Sequence, residues 1–253
     1  MAELIFHGAA RQVTGSLHLL EVNGKRIILD CGLFQGRRSE TRELNTSFPC
    51  DPRSVHAVVV SHAHIDHIGR LPMLVRNGFR GVIHCTAATR DLAAIMLADA
   101  ARIQQEDARF LNKHRKPGEP QVSPLYGTSE VPPTLRLIQT SPYDRWFKVA
   151  TGVHARFFDA GHMLGSAGIE VEVNEGGSKY ILVFSGDVGR TGLPILRNPA
   201  PLPACDYLIC ESTYGGRRTD AVQDMRLKLA DIVRRTIERE GRVLIPAFSV
   251  GRT

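Results

Sequence analysis

Cysteine is scarce and scattered in this chain. Cys31, Cys50, Cys85, Cys205 and Cys210 are odd in number and form no CxxC pair. A disulfide framework and a thiolate zinc site are therefore excluded as organising principles, and a reducing, cytoplasmic setting is the expectation. No apolar run approaches the ~18 residues a membrane helix needs, so no membrane partner is expected. The opening stretch MAELIFHGAARQVTGS lacks a basic segment followed by a long apolar one and does not read as a secretory signal. Aromatic residues make up only 6%, with one Trp, and no stacking platform for nucleic-acid bases is legible. Low-complexity tracts and internal repeats are also missing.

What is present is an ordinary globular composition. The 253 residues are 43% hydrophobic and 23% charged, enough to bury a sizeable core as one large domain or one domain with part of another. A formal charge of +6 permits a polyanionic partner without demanding one. The composition is compatible with a homodimer, and no organic cofactor is expected.

The first hundred residues read as strands separated by turns: ELIFHGAA, then SLHLLEV, then NGKRIILDCG, which begins with an Asn-Gly turn, a strong hairpin signal. VHAVVV and GVIHC are near-continuous apolar strands suited to burial on both faces, with room for a short helix in IGRLPMLVRNG. Residues 88–112 carry Leu92, Ile95, Met96 and Ile103 at helical spacing and predict a long amphipathic helix. Residues 113–134 hold five prolines and two glycines and read as a loop. Strands follow at VHARFFDAGH, AGIEVEV, KYILVFSGD and CDYLICEST, then a helix over 220–240 and a last strand at GRVLIPAF. The proline-rich RNPAPLP at 197–203 reads as a connector. Strands with helices between them and polar residues at strand ends describe an α/β layered protein.

One stretch concentrates the chemistry. VVVSHAHIDHIGRLP places His62, His64, Asp66 and His67 in six positions directly after a valine run. Neutral imidazole and carboxylate are ligands for borderline metals such as zinc. Burying so much polarity there would be costly without a metal or hydrogen-bond partners. His62 and His64, two apart, project to one side of an extended segment; Asp66 and His67 follow the turn and are placed for a second ion. Two later spots share the design: His162 ends the apolar segment of FFDAGHMLGSAG, and Asp187 ends YILVFSGDVG. The other histidines, His7, His18, His56, His84, His114 and His154, read as surface or hydrogen-bonded core residues.

Taken in order, ILDCG, HxHxDH, AGHMLGS and FSGDVGR resemble the metallo-β-lactamase superfamily. CESTYGGR, GAARQVTGS and VLIPAFSVGRT are similar to segments of its β-CASP branch of RNA-processing nucleases. The resemblance implies an αββα sandwich, with residues 1–215 as the metallo-β-lactamase domain and 216–253 as the beginning of an inserted β-CASP domain. It implies two zinc ions: His62, His64 and His162 on one, Asp66 and His67 on the other, and Asp187 bridging. It also implies a carboxylate at Asp30 that orients the histidine loop, and an acidic residue at Glu211 that assists proton transfer. RNA is the implied partner and phosphodiester hydrolysis the implied reaction. The basic clusters Arg37-Arg38, Lys113 to Lys116 and Arg217-Arg218 agree with that. The branch carries two further histidines near the end of its inserted domain, and no histidine follows His162 here. The expectation is the N-terminal part of a longer nuclease, with a naturally short or decayed homologue as the alternative. A hydrolase of small esters, thioesters or lactams and a non-catalytic RNA-processing scaffold are the alternatives.

Overall fold

A computed structural model of the chain describes residues 2–217 and 222–246. Eleven strands in the described residues make two sheets. β1 (Glu3–Phe6), β2 (His18–Val22), β3 (Lys25–Leu29), β4 (Val55–Val59), β5 (Val82–Cys85) and β6 (Ile138–Thr140) lie side by side in that order. β1 to β3 pair antiparallel, and β3 to β6 pair parallel. The second sheet has the order β11 (Tyr207–Ile209), β10 (Ser178–Phe184), β9 (Ala167–Glu175), β8 (Val153–Asp159), β7 (Trp146–Ala150). Only β11 pairs parallel there, along β10.

Side chains alternate along each strand, and that alternation builds two cores. Leu19, Ile28 and Val58 point into a cluster with Leu74, Ile83, Met96 and Leu97, on the face covered by helices. Their neighbours Leu20, Ile27, Leu29 and Val59 point the other way and meet Phe157, Ile169, Val171 and Phe184 of the second sheet. Continuous apolar strands such as VHAVVV are thus buried on both faces, as their composition requires. The Asn-Gly hairpin also forms: Val22 pairs with Lys25, and Asn23 and Gly24 both have positive φ, the signature of a two-residue turn matching strand twist.

The helices are α1 (Arg38–Thr46), α2 (Ile65–Ile68), α3 (Leu71–Arg76), α4 (Ala87–Lys113), α5 (Val131–Arg136) and α6 (Val222–Glu238). Several expectations are corrected here. Ile95 and Ile103 of α4 face outward, Ile95 at 66% exposure, while Thr89, Ala93, Met96, Leu97, Ala101 and Ala108 are buried. The buried stripe mixes alanines with Thr89, Met96 and Leu97, and Met96 and Leu97 join the core. The proline-rich stretch is not all loop, since α5 begins within it. Pro132 and Pro133 fall in the first turn, where a missing N–H costs nothing. α1, β6 and β7 were not legible as elements. GRVLIPAF forms no strand over residues 241–246, and residues 247 and 248 lie outside the described residues. A strand needs a hydrogen-bonded neighbour, none of the described strands pairs with this segment, and Leu244 is 89% exposed.

Candidate metal centre

The site is built where β4 runs out. Val60, Ser61, His62 and Ala63 continue the strand direction, fully enclosed, and α2 makes a single turn that carries Asp66 and His67. One turn of helix leaves carbonyls without internal partners. Here they are taken by other backbones: Ser16 N donates to Asp66 O at 2.8 Å, Cys31 N to His67 O at 2.7 Å, and Leu33 N to Ile65 O at 2.9 Å. Gly32 makes this lacing possible, because a Cβ there would fall on the Asp66 carbonyl.

His162 arrives from the loop after β8, where Ser166 Oγ accepts from the backbone N–H of both His162 and Met163 at 3.0 and 3.1 Å. Asp187 arrives from the end of β10. The preceding Gly186 has φ of +55° and packs against Ser61 closely enough that a side chain would meet Ser61 Cβ at 2.8 Å. The second sheet therefore brings both residues to the histidine loop of the first.

Their donor atoms converge. His64 Nδ1 lies 3.0 Å from His62 Nε2 and 3.1 Å from His162 Nε2. Asp187 Oδ2 lies 3.8 Å from His62 Nε2 and 3.4 Å from His162 Nε2. Four ligands ~2.0–2.1 Å from a tetrahedral ion stand roughly 3.3 Å apart; these four donor atoms all lie within 4.8 Å of one another, a set that could hold a metal ion. The other oxygen of Asp187, Oδ1, lies 3.3 Å from His67 Nε2, which in turn is 3.9 Å from Asp66 Oδ2. Asp187 thus turns one oxygen to each cluster. The second cluster is looser and has three donors among the described residues.

Asp30 stands behind the histidines, fully buried and with φ of +59°, a left-handed conformation that Asp tolerates better than most residues. Its Oδ1 accepts from Ser61 N at 2.7 Å. Its Oδ2 lies 2.7 Å from His67 Nδ1, 2.8 Å from Ser61 Oγ and 3.2 Å from Ser16 Oγ. A carboxylate only accepts, so His67 carries hydrogen on Nδ1.

Electrostatics divide the cluster. Burial, reinforced by the neighbouring histidines, holds His62 well below the usual histidine range, and burial also lowers His162. Burial opposes the charge on His67 too, but the carboxylates of Asp30 and Asp187 outweigh it and hold that imidazole well above its ordinary value. Burial likewise works against the Asp187 carboxylate, yet His67, His162 and His64 pull it below the ordinary value. Asp66, with burial dominant, is raised.

Glu211 follows β11 and reaches the same region. Its Oε1 accepts from Val188 N at 3.1 Å and its Oε2 from Thr213 N at 3.0 Å, while its own N–H donates to Ser185 Oγ at 3.0 Å. Together with His67 and Asp187 it lines a groove of about 420 Å³, whose lining also includes Arg11 and Gln12 from the GAARQVTGS segment and His18 from β2. The structure brings every expected site residue to one end of the two sheets. Arg37, Lys113, Arg115, Lys116 and Arg217 are exposed, and Arg218 lies outside the described residues. The other histidines read as surface or hydrogen-bonded core residues; among the described residues, His7 Nε2, His18 Nδ1 and His84 Nδ1 are enclosed ring nitrogens without a hydrogen-bond partner.

Sequence reasoning passed over Ser61, Ser166 and Arg70. Arg70 is fully buried and pairs with no carboxylate among the described residues; it donates to the carbonyls of Gly32, Leu44 and Ser47, and stacks over Phe34 and Phe48. Its place three residues after the HxHxDH motif was the available signal.

Residues 11–227 match the metallo-beta-lactamase superfamily, and the chain belongs to that superfamily. Superfamily membership and the His/Asp cluster imply that it binds divalent metal. Among curated relatives, Ribonuclease TTHA0252 of Thermus thermophilus is 36% identical over 245 residues, covering 97% of this chain and 51% of that protein. The RNase J-like protein of Methanocaldococcus jannaschii is 31% identical over 258 residues, covering 100% of this chain and 52% of that protein. Transcription termination factor FttA of Methanosarcina mazei is 31% identical over 251 residues, 97% of this chain and 37% of that protein. The chain spans 37–52% of the length of these relatives. No helix in the described residues is long and apolar enough to cross a membrane.

Proposed function

We propose that this chain carries the metal site of a zinc-dependent ribonuclease that hydrolyses phosphodiester bonds. One observation carries the reading: the two oxygens of Asp187 face two separate donor clusters, His62/His64/His162 and Asp66/His67. Zinc bound there would supply Lewis-acid polarisation of a phosphoryl oxygen and an acidified water at neutral pH. The names of the relatives, two of them ribonucleases, favour RNA as substrate.

Each residue has a task that its surroundings support. His62, His64 and His162 would hold one ion, His67 and Asp66 a second, and Asp187 would serve both. Asp30 orients His67 through Nδ1. Glu211 sits at the groove edge with its carboxylate held by two backbone N–H groups, placed to exchange a proton with substrate there. We assign residues 1–215 to the metallo-β-lactamase domain and 216–253 to the start of an inserted β-CASP domain, and take the protein to act in the cytoplasm.

Elemental analysis combined with cleavage of end-labelled single-stranded RNA tests this. Asp187→Ala should lose metal and cleavage together. Glu211→Ala should keep its metal while the rate falls ~10²–10⁴-fold, the usual worth of general acid–base assistance. A zinc-loaded protein that leaves RNA intact but hydrolyses model thioesters or lactams, indifferent to Glu211, would overturn the nuclease reading.

A further inference from the structure

Ser61 has no role in the ligand assignment, yet its fully buried hydroxyl sits at a junction. Ser61 Oγ is 2.8 Å from Asp30 Oδ2, 3.0 Å from His62 Nδ1 and 3.4 Å from His67 Nδ1. His67 Nδ1 is closer to Asp30, at 2.7 Å, so its hydrogen goes to the carboxylate. A serine hydroxyl has one hydrogen to give and can accept others. Two arrangements compete for that hydrogen. In one, Ser61 donates to Asp30 and accepts from His62 Nδ1–H. In the other, Ser61 donates to His62 Nδ1, and the imidazole hydrogen moves to Nε2, where His64 Nδ1 is 3.0 Å away.

The first arrangement has the shorter contact, and its acceptor is a carboxylate. Hydrogen bonds to ionised groups are about twice as strong as neutral ones. We propose that Ser61 is a positioning residue that sets the tautomer of His62, donating to Asp30 and holding hydrogen on His62 Nδ1 so that Nε2 faces the centre with a free lone pair. One buried carboxylate then orients a ligand in each cluster: His67 directly, and His62 through the Ser61 hydroxyl. The inference rests on the ligand assignment above for its consequence, but the tautomer itself exists without metal.

Nitrogen-15 spectra of the histidine side chains in metal-free protein decide it. Wild type should show His62 protonated on Nδ1. Ser61→Ala removes the acceptor, leaving an Nδ1–H enclosed without a partner, so the hydrogen should move to Nε2. Zinc affinity of the His62 cluster should then fall about 10–100-fold, the usual effect of removing a group that orients a ligand. The His67 cluster should keep its affinity, and Ser61→Thr should restore both tautomer and affinity. A wild-type spectrum with His62 protonated on Nε2 overturns the proposal, whether or not the variants fold. So does a Ser61→Ala protein with the wild-type tautomer and affinity. Wild type that takes up no zinc would instead overturn the ligand assignment, leaving the spectra to judge Ser61.

Discussion

Asp30→Asn keeps the shape of a fully buried side chain and changes only its hydrogen-bonding polarity. The native carboxylate receives Ser61 N–H on Oδ1, and His67 Nδ1–H and the Ser61 hydroxyl on Oδ2. An amide offers one acceptor and one two-hydrogen donor, so either orientation puts a donor against a donor. With the NH₂ group toward Ser61 N, the backbone cannot turn away, and each buried donor left unpaired costs about 1–3 kcal/mol. With the NH₂ group toward His67, that imidazole must accept on Nδ1 and carry hydrogen on Nε2, the atom facing Asp187 at 3.3 Å. The Ser61 hydroxyl is then free to donate to His62 Nδ1, which reverses His62 as well. Zinc affinity should drop about 10–100-fold at each cluster, or roughly 1.4–2.8 kcal/mol per ion. Metal-free stability should fall by about 1–3 kcal/mol. Competition against a chromophoric zinc chelator measures the first quantity, and urea unfolding the second. A folded Asp30→Asn protein that binds zinc with wild-type affinity at both clusters would refute the reasoning.

Gly32→Ala should destabilise the protein by more than the ~1–3 kcal/mol usual for overpacking, because the colliding atoms are the Asp66 carbonyl and Ser16 N rather than a flexible side chain. Gly24→Ala, with nothing within 4 Å and only a positive φ to strain, should cost about 1–2 kcal/mol; equal losses in urea melts would argue against the lacing at Gly32. Burial pushes His84 down to about 4, with its ring stacked on Phe147 at 4.9 Å. The folded state therefore binds this proton less readily than the unfolded chain. Stability is full above pH 6.5 and declines toward pH 4 by about 1.4 kcal/mol per pH unit from this group. His84→Phe should remove one proton's worth of that slope in unfolding measurements across the range, and an unchanged slope would count against the assignment.

Local patterns in the sequence carried much of this far. Strand alternation is a property of neighbouring residues, so VHAVVV and KYILVF were readable before any partner was known. Asn23-Gly24 specified its turn through backbone sterics alone, and HxHxDH announced its chemistry because four candidate ligands lie within one short loop. Elements whose form depends on neighbours were harder. Ile95 and Ile103 lie on the outward side of α4, and helical spacing alone left open which of its apolar residues meet the core. The apolar run at 241–246 has strand composition, yet without a paired neighbour it is not a strand.

The sequence by itself determined which side chains could bind metal, and the tertiary structure decided how they are held. His162 and Asp187 lie 98 and 123 positions beyond His64, and only the apposition of two sheets puts their donor atoms beside it. That Asp187 faces both clusters at once goes with the backbone turn at Gly186, which packs closely on Ser61, a matter of a few ångströms that no spacing rule reaches. The Ser61 hydroxyl stands immediately before His62 in the chain, but its meaning depends on Asp30, 31 residues earlier, lying within hydrogen-bond reach. Ligand type is a local property of the side chain. Ligand orientation is set by buried donors and acceptors that converge only in the folded state.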